Sequence, residues 1–218
     1  MFQRLFDPEN DFMIFLSQIT DLIVLSFFWI LSCLLVVTAG PGTAALYDAV
    51  FHGLRKQDLH SWERFLHSFR LNFKSGCLAA VPVVGGFLLG LDGVLRLFRG
   101  AYNGQISWAV FSAGLFLLFL LIGILSIVFP LLSRFETSLP RLFSNALRLG
   151  MAHLPRTLLL AALNCVMFYL CARFVVPLFL LPALGMLLGS FLIEPMLRPF
   201  LPEDFGGCVD PKDPDTLK

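Results

Sequence analysis

The apolar residues of this chain fall into runs too long for the surface of a soluble fold, and short charged blocks separate them. A helix needs about 20 mostly apolar residues to cross roughly 30 Å of hydrocarbon. Residues 17–37, 76–98 and 106–129 meet that length, and 157–197 is about twice as long. The last run is interrupted by Arg173 and by Pro177, which cannot donate a helical hydrogen bond. It therefore reads as two helices, 157–173 and 177–197, with a re-entrant pair as the alternative. The expected architecture is all-α: a polytopic transmembrane helical bundle of about five spans. Composition agrees, since 57% of the residues are hydrophobic and 14% charged, whereas a soluble domain carries about a quarter charged.

Retained anchors, not a cleaved leader, fit the N-terminus. Val37-Thr38-Ala39-Gly40 resembles a cleavage site, but Arg4 stands against Asp7, Glu9 and Asp11, and a signal needs a basic start. A net charge of +1 without a basic domain argues against nucleic acid as a partner. The five cysteines are an odd count without metal-ligand spacing and read as small apolar packing residues.

Orientation follows from Lys and Arg in the short loops. Arg55, Lys56, Arg64, Arg70 and Lys74 lie in one connection, Arg134, Arg141, Arg148 and Arg156 in another, and Arg198, Lys212 and Lys218 in the tail. Those twelve face only Arg4, Arg96, Arg99 and Arg173 on the other side. The expectation is a multi-pass membrane protein with the N-terminus outside and the C-terminus in the cytoplasm. Residues 203–218 are rich in Asp and Pro and read as a polar, disordered tail.

Two of the basic connections have helical periodicity. In 61–74, Trp62, Phe65, Leu66, Phe69 and Phe73 form one stripe, with Arg70 and Lys74 on other faces. In 138–150 the stripe is Leu139, Leu142, Phe143, Ala146 and Leu149, with Arg141 and Arg148 two turns apart opposite it. Such cytoplasmic amphipathic helices lie on anionic lipid or dock on a partner. Trp62, Phe65, Phe69, Arg70, Lys74, Arg141 and Arg148 are thus the candidate lipid or partner interface. Helix, amphipathic helix, helix occurs twice, at 17–98 and 106–176, a weak parallel repeat of a kind found in some transporters.

Chemistry-bearing residues are few. No phosphate-cradling loop, nucleophile elbow or metal-ligand set stands out, so neither enzyme activity, a cofactor nor a metal is expected. The histidines read as exposed or interfacial. Within the apolar runs, Asp92 and Arg96 are four apart and can pair along one face. Asp21 is placed to reach water at the outer end of the first helix, and Glu194 near the cytoplasmic end. Asn164 is expected to hydrogen-bond across helices. Gly86 with Gly90, and Gly185 with Gly189, have the spacing that lets helix backbones approach closely. Gly40-Pro41-Gly42 is expected to break the first helix and form a structural corner, a new helix starting at Pro41 or Thr43.

Trp29 followed by Thr38-Ala39-Gly40-Pro41-Gly42-Thr43-Ala44-Ala45-Leu46-Tyr47 resembles the YesL family of bacterial membrane proteins. Trp62-Glu63-Arg64-Phe65, Asn72-Phe73-Lys74, Phe129-Pro130-Leu131-Leu132-Ser133-Arg134-Phe135 and Asn145-Ala146-Leu147 are similar to its later segments. The family is of unknown function, and its genes often stand beside sugar-uptake ABC transporters. The resemblance implies a non-enzymatic accessory role in carbohydrate uptake, with permease or ATPase subunits as partners. A small stand-alone transporter or channel is the alternative.

Overall fold

The structure is a computed structural model that describes residues 11–34, 36–54, 61–135, 138–174 and 179–197, with the backbone alone at 11–17, 36 and 54. The expected tail at 203–218, and Pro177 at the join within the last apolar run, lie outside the described residues. The described residues form eight α-helices and no strand: α1 (Asp11–Cys33), α2 (Ala39–Ala49), α3 (Ser61–Leu71), α4 (Phe73–Tyr102), α5 (Trp108–Arg134), α6 (Leu139–Ala152), α7 (Leu154–Arg173) and α8 (Leu181–Leu197). A 3-10 turn, Val36–Thr38, precedes α2, and a π-helical turn, Val50–Leu54, follows it.

Three helices, α4, α5 and α7, are long and apolar enough to cross a bilayer. Their outward faces carry large apolar side chains in the open, among them Leu89, Leu117 and Phe168. Water would penalise that surface heavily, while hydrocarbon accepts it. The apolar stretches Gln18–Cys33 of α1 and Leu181–Leu197 of α8 are shorter. α4 and α5 form an antiparallel hairpin, since a Cβ on Gly114 would meet Leu97 and one on Gly90 would meet Leu118. The start of α4 and the end of α5 are therefore at one end, and the amphipathic helices α3 and α6 adjoin them there. At the other end Phe98, Tyr102, Trp108 and Phe111 pack with ring centroids 5.6–6.5 Å apart. Such an aromatic group suits a membrane–water boundary.

The first third of the chain departs most from the sequence expectation. The break after α1 comes before the glycine-proline run, not at it. Gly40-Pro41-Gly42 forms the first turn of α2, where the missing proline N–H would have no helical partner anyway. α2 is also no surface connection: Gly40, Pro41, Gly42 and residues Ala44 to Ala49 are buried. It is enclosed by α1, α3, α4, α5 and α8. Its small residues make this enclosure possible. A Cβ on Gly40 would sit 2.3 Å from the Gly76 carbonyl oxygen of α4, and one on Gly42 would sit 2.0 Å from Ser32 Oγ of α1. Trp29 Nε1 donates to Thr43 Oγ1 at 3.2 Å, and Thr43 Oγ1 donates to the Ala39 carbonyl, locking α2 against α1. Among the described residues, the second unit of the suggested repeat, α5 to α7, has no helix equivalent to α2.

Asp21 is also placed differently. It accepts a hydrogen bond from Ser61 Oγ, the first residue of α3, at 3.2 Å. The loop-charge count puts those two residues on opposite sides of a bilayer, so a simple crossing by α1 does not fit this contact. α1 instead packs on α2, α3 and α8, and its Ser26 hydroxyl accepts from the Ala183 N–H in the first turn of α8. That N–H belongs to the set a helix cannot satisfy internally.

Candidate functional site

Where α2 ends, its small apolar residues give way to Tyr47, Asp48, Phe51 and His52, all buried. Asp48 and His52 are one turn apart, and the π-helical turn beginning at Val50 sets the histidine ring beneath the carboxylate. π-turns inside helices recur at functional positions. His52 Nδ1 hydrogen-bonds the Asp48 carbonyl at 3.1 Å and lies 3.0 Å from Asp48 Oδ1, within ion-pair range. Arg64 of α3 approaches Asp48 Oδ2 from the other side, at 3.5 Å.

A second pair adjoins the first. Arg134, the last residue of α5, donates through Nη2 to Glu194 Oε1 of α8 at 2.7 Å. Its guanidinium stacks over the Phe51 ring, 3.9 Å from the centroid, and lies 6.0 Å from the Tyr47 ring. A desolvated guanidinium over an aromatic face gains a cation–π attraction of about 2 kcal/mol. Arg134 and Glu194 side chains are only 13% and 12% exposed, and Arg134 Nε has no hydrogen-bond partner. Two arginines face two carboxylates, with His52 beside Asp48, and the set ties α2, α3, α5 and α8 together.

Electrostatics explain how a carboxylate survives here. Burial alone would raise the Asp48 carboxyl, but the hydrogen bond and charge of His52, then the charges of Arg64 and Arg134, outweigh it. The carboxyl is held below the ordinary aspartate range. The sign of the linkage follows: a depressed folded value contributes stability above the unfolded value, about 3.9, and loses it as pH falls through the folded one. Thermal unfolding of the detergent-solubilised protein between pH 6 and pH 3 is expected to show an acid-side fall in stability. Asp48→Asn is expected to flatten that fall. An unchanged acid limb in the variant would mean that Asp48 is not ionised in the fold.

The residues singled out from sequence are scattered by comparison. Phe65 is buried, stacked on Phe28 of α1 with centroids 5.7 Å apart, which removes it from the exposed interface. The face of α3 that turns inward is Ser61, Phe65 and Ser68, while Trp62, Arg70 and Phe73 stay exposed and Phe69 is half-buried. Phe73 and Lys74 begin α4 and do not continue α3. On α6, Leu142, Ala146, Leu149 and Gly150 turn inward and Arg141 and Arg148 outward. Asp92 and Arg96 pair at 2.7 Å on the outer face of α4. Asn164 does not bridge helices; its Nδ2 donates to the Leu160 carbonyl of its own helix at 2.8 Å. His52 is buried, not interfacial, and Glu194 is paired instead of solvated.

Of the cluster, only the Asp48–His52 spacing was available as a local signal; Arg64, Arg134 and Glu194 join it through tertiary packing. Among the described residues, no three His, Cys, Asp or Glu side chains converge as a metal site would require. A cleft of about 200 Å³ between α4 and α5 is lined by glycines, Val94 and leucines, without a charged group.

A family model described as "Protein of unknown function, DUF624" matches residues 22–92, about a third of the chain. The match runs from α1 into α4 and takes in Asp48, His52 and Arg64, but neither Arg134 nor Glu194. No curated protein and no solved structure matches the chain.

Proposed function

We propose that this chain is a non-enzymatic membrane accessory subunit whose partner is a carbohydrate ABC transporter, through its permease or ATPase subunits. The observation that carries the reading is the pair of outward faces on α3 and α6. Trp62, Arg70 and Leu71 stand exposed on one, and Arg141, Leu147, Arg148 and Met151 on the other. Both helices adjoin the same end of the α4–α5 hairpin, the end that the Lys and Arg bias assigns to the cytoplasm. Aromatic and arginine side chains in the open are what a protein interface is enriched in. The buried cluster supports the same role mechanically. Arg64 anchors α3 on Asp48, so the exposed face is presented on a fixed helix. The resemblance to YesL-like proteins supplies the class of partner.

Tagged protein at native expression, extracted in mild detergent, is expected to bring transporter subunits with it. The double variants Trp62→Ala/Arg70→Ala and Arg141→Ala/Arg148→Ala are each expected to lose about tenfold or more of that partner, roughly 1.4 kcal/mol or more, while remaining monodisperse. Repeated purification of the chain alone would overturn the reading. A stand-alone carrier would instead reveal itself by solute flux in liposomes.

A further inference from the structure

Two points on α1 adjoin the same end of the α4–α5 hairpin. At the first, Asp21 accepts from Ser61 Oγ of α3 at 3.2 Å. Ser61 stands one turn before Arg64, which lies against Asp48, and Asp48 also feels the charge of Arg134 at the end of α5. At the second, the Ser32 carbonyl accepts from the Thr38 hydroxyl, and Thr38 leads directly into α2. Gly40, in the first turn of α2, abuts the Gly76 carbonyl and Ala80. Those two residues belong to the first two turns of α4, a helix of 30 residues and about 45 Å.

The path between the two points is short. From Asp21 to Ser32 the helix rises about 16 Å, about half of the roughly 30 Å of hydrocarbon. α2 then runs back beside α1: Trp29 holds Thr43, while Leu22 and Leu25 pack with Leu46, Ala49 and Val50. The face of α1 turned away from α2 is wholly apolar. Ile23, Phe27 and Leu31 stand exposed at i, i+4 and i+8, and Leu34 continues the stripe.

We infer that α1 does not cross the bilayer. It enters from the side on which α3 and α6 lie, and the chain returns to that side through α2. Ile23, Phe27, Leu31 and Leu34 contact the acyl chains of that leaflet, as the apolar face of an interfacial helix does. The start of α1 and the end of α8, where Glu194 meets Arg134, then share a side opposite the α4–α5 turn. This reverses the expected position of the N-terminus. The Lys and Arg bias sharpens as a result, from twelve against four to thirteen against three, once Arg4 joins the majority side. The inference does not rest on the accessory-subunit reading.

The test places an epitope tag on the full chain at the N-terminus, at the C-terminus or after Gly104 in the α4–α5 turn, one at a time. Antibody is applied to right-side-out membrane vesicles before and after detergent. The two terminal tags are expected to be protected until detergent is added, and the Gly104 tag to be reached at once. An N-terminal tag that answers with the Gly104 tag, or terminal tags that answer differently from each other, would overturn the inference. The stripe is tested separately, with purified protein in phosphatidylcholine vesicles whose acyl chains carry a diazirine. Illumination is expected to attach lipid at Phe27 and Leu31 while leaving buried α2 unlabelled. Lipid attached to α4 and α7 but absent from α1 would overturn the contact.

Discussion

Replacing Arg134 with methionine is expected to destabilise the fold by about 3–5 kcal/mol, the usual cost of removing one partner from a buried pair. The reason is geometric. Glu194 would lose the 2.7 Å hydrogen bond that neutralises it, and Phe51 would lose the guanidinium above it. Asp48 would also lose one of the charges that hold its carboxyl ionised. Arg134→Met/Glu194→Met is expected to recover most of the loss, because two apolar side chains leave no orphaned charge, and such replacements are often neutral or better. What remains would measure the attraction of Arg134 to Phe51 and Asp48. The check is thermal unfolding of wild type and the variants in one detergent. A single variant within about 1 kcal/mol of wild type would mean that the cluster is wet and that Glu194 finds water instead; exposed pairs are worth that little.

The second large effect concerns the entry into α2, and two neighbouring glycines are expected to behave differently. At Gly40 an added Cβ meets a backbone carbonyl, that of Gly76, at 2.3 Å. A carbonyl cannot rotate away, so Gly40→Ala has to shift α2 from α4, at a cost of about 1–3 kcal/mol or more for overpacking. No second-site side-chain change on α4 is expected to rescue it. At Gly42 the obstacle is the Ser32 side chain, with Oγ at 2.0 Å and Cβ at 2.8 Å. Gly42→Ala is expected to be destabilising alone and largely rescued by Ser32→Gly. Folded yield and melting temperature of the three variants decide it. Equal rescue at both positions would mean that α2 is not wedged against α4.

These effects centre on a helix whose burial was not evident in the sequence, for a physical reason. Long apolar runs declare themselves, and α4, α5 and α7 correspond to such runs. The α2 segment, AGPGTAALYDA, is modest in hydropathy and carries glycine and proline, so it resembles a boundary. It is buried because its residues are small, and small size admits neighbouring backbones without requiring strong hydrophobicity. Periodicity showed that α3 and α6 are amphipathic, yet on α3 it chose the wrong centre. Ser61 and Ser68 line the inward face because Ser61 donates to Asp21 there and Ser68 accepts from Asn72. Asp48 and His52 stand at i, i+4, yet from sequence alone His52 reads as exposed or interfacial, without a pairing to Asp48. The partners of that pair are no more evident, since Arg64 reads as a polar-face charge of an amphipathic helix, Arg134 as a loop charge and Glu194 as a charge near the cytoplasmic end of a span.

The distance along the chain between the members of the charge cluster has a consequence for biogenesis. Glu194 follows Arg134 by sixty residues, and at roughly 5–20 residues per second it leaves the ribosome about 3–12 seconds later. Until then the arginine at the end of α5 has no glutamate to neutralise it. The pair therefore closes only when α8 arrives: a chain that ends before its last apolar helix leaves Arg134 with Asp48 nearby but without its 2.7 Å partner.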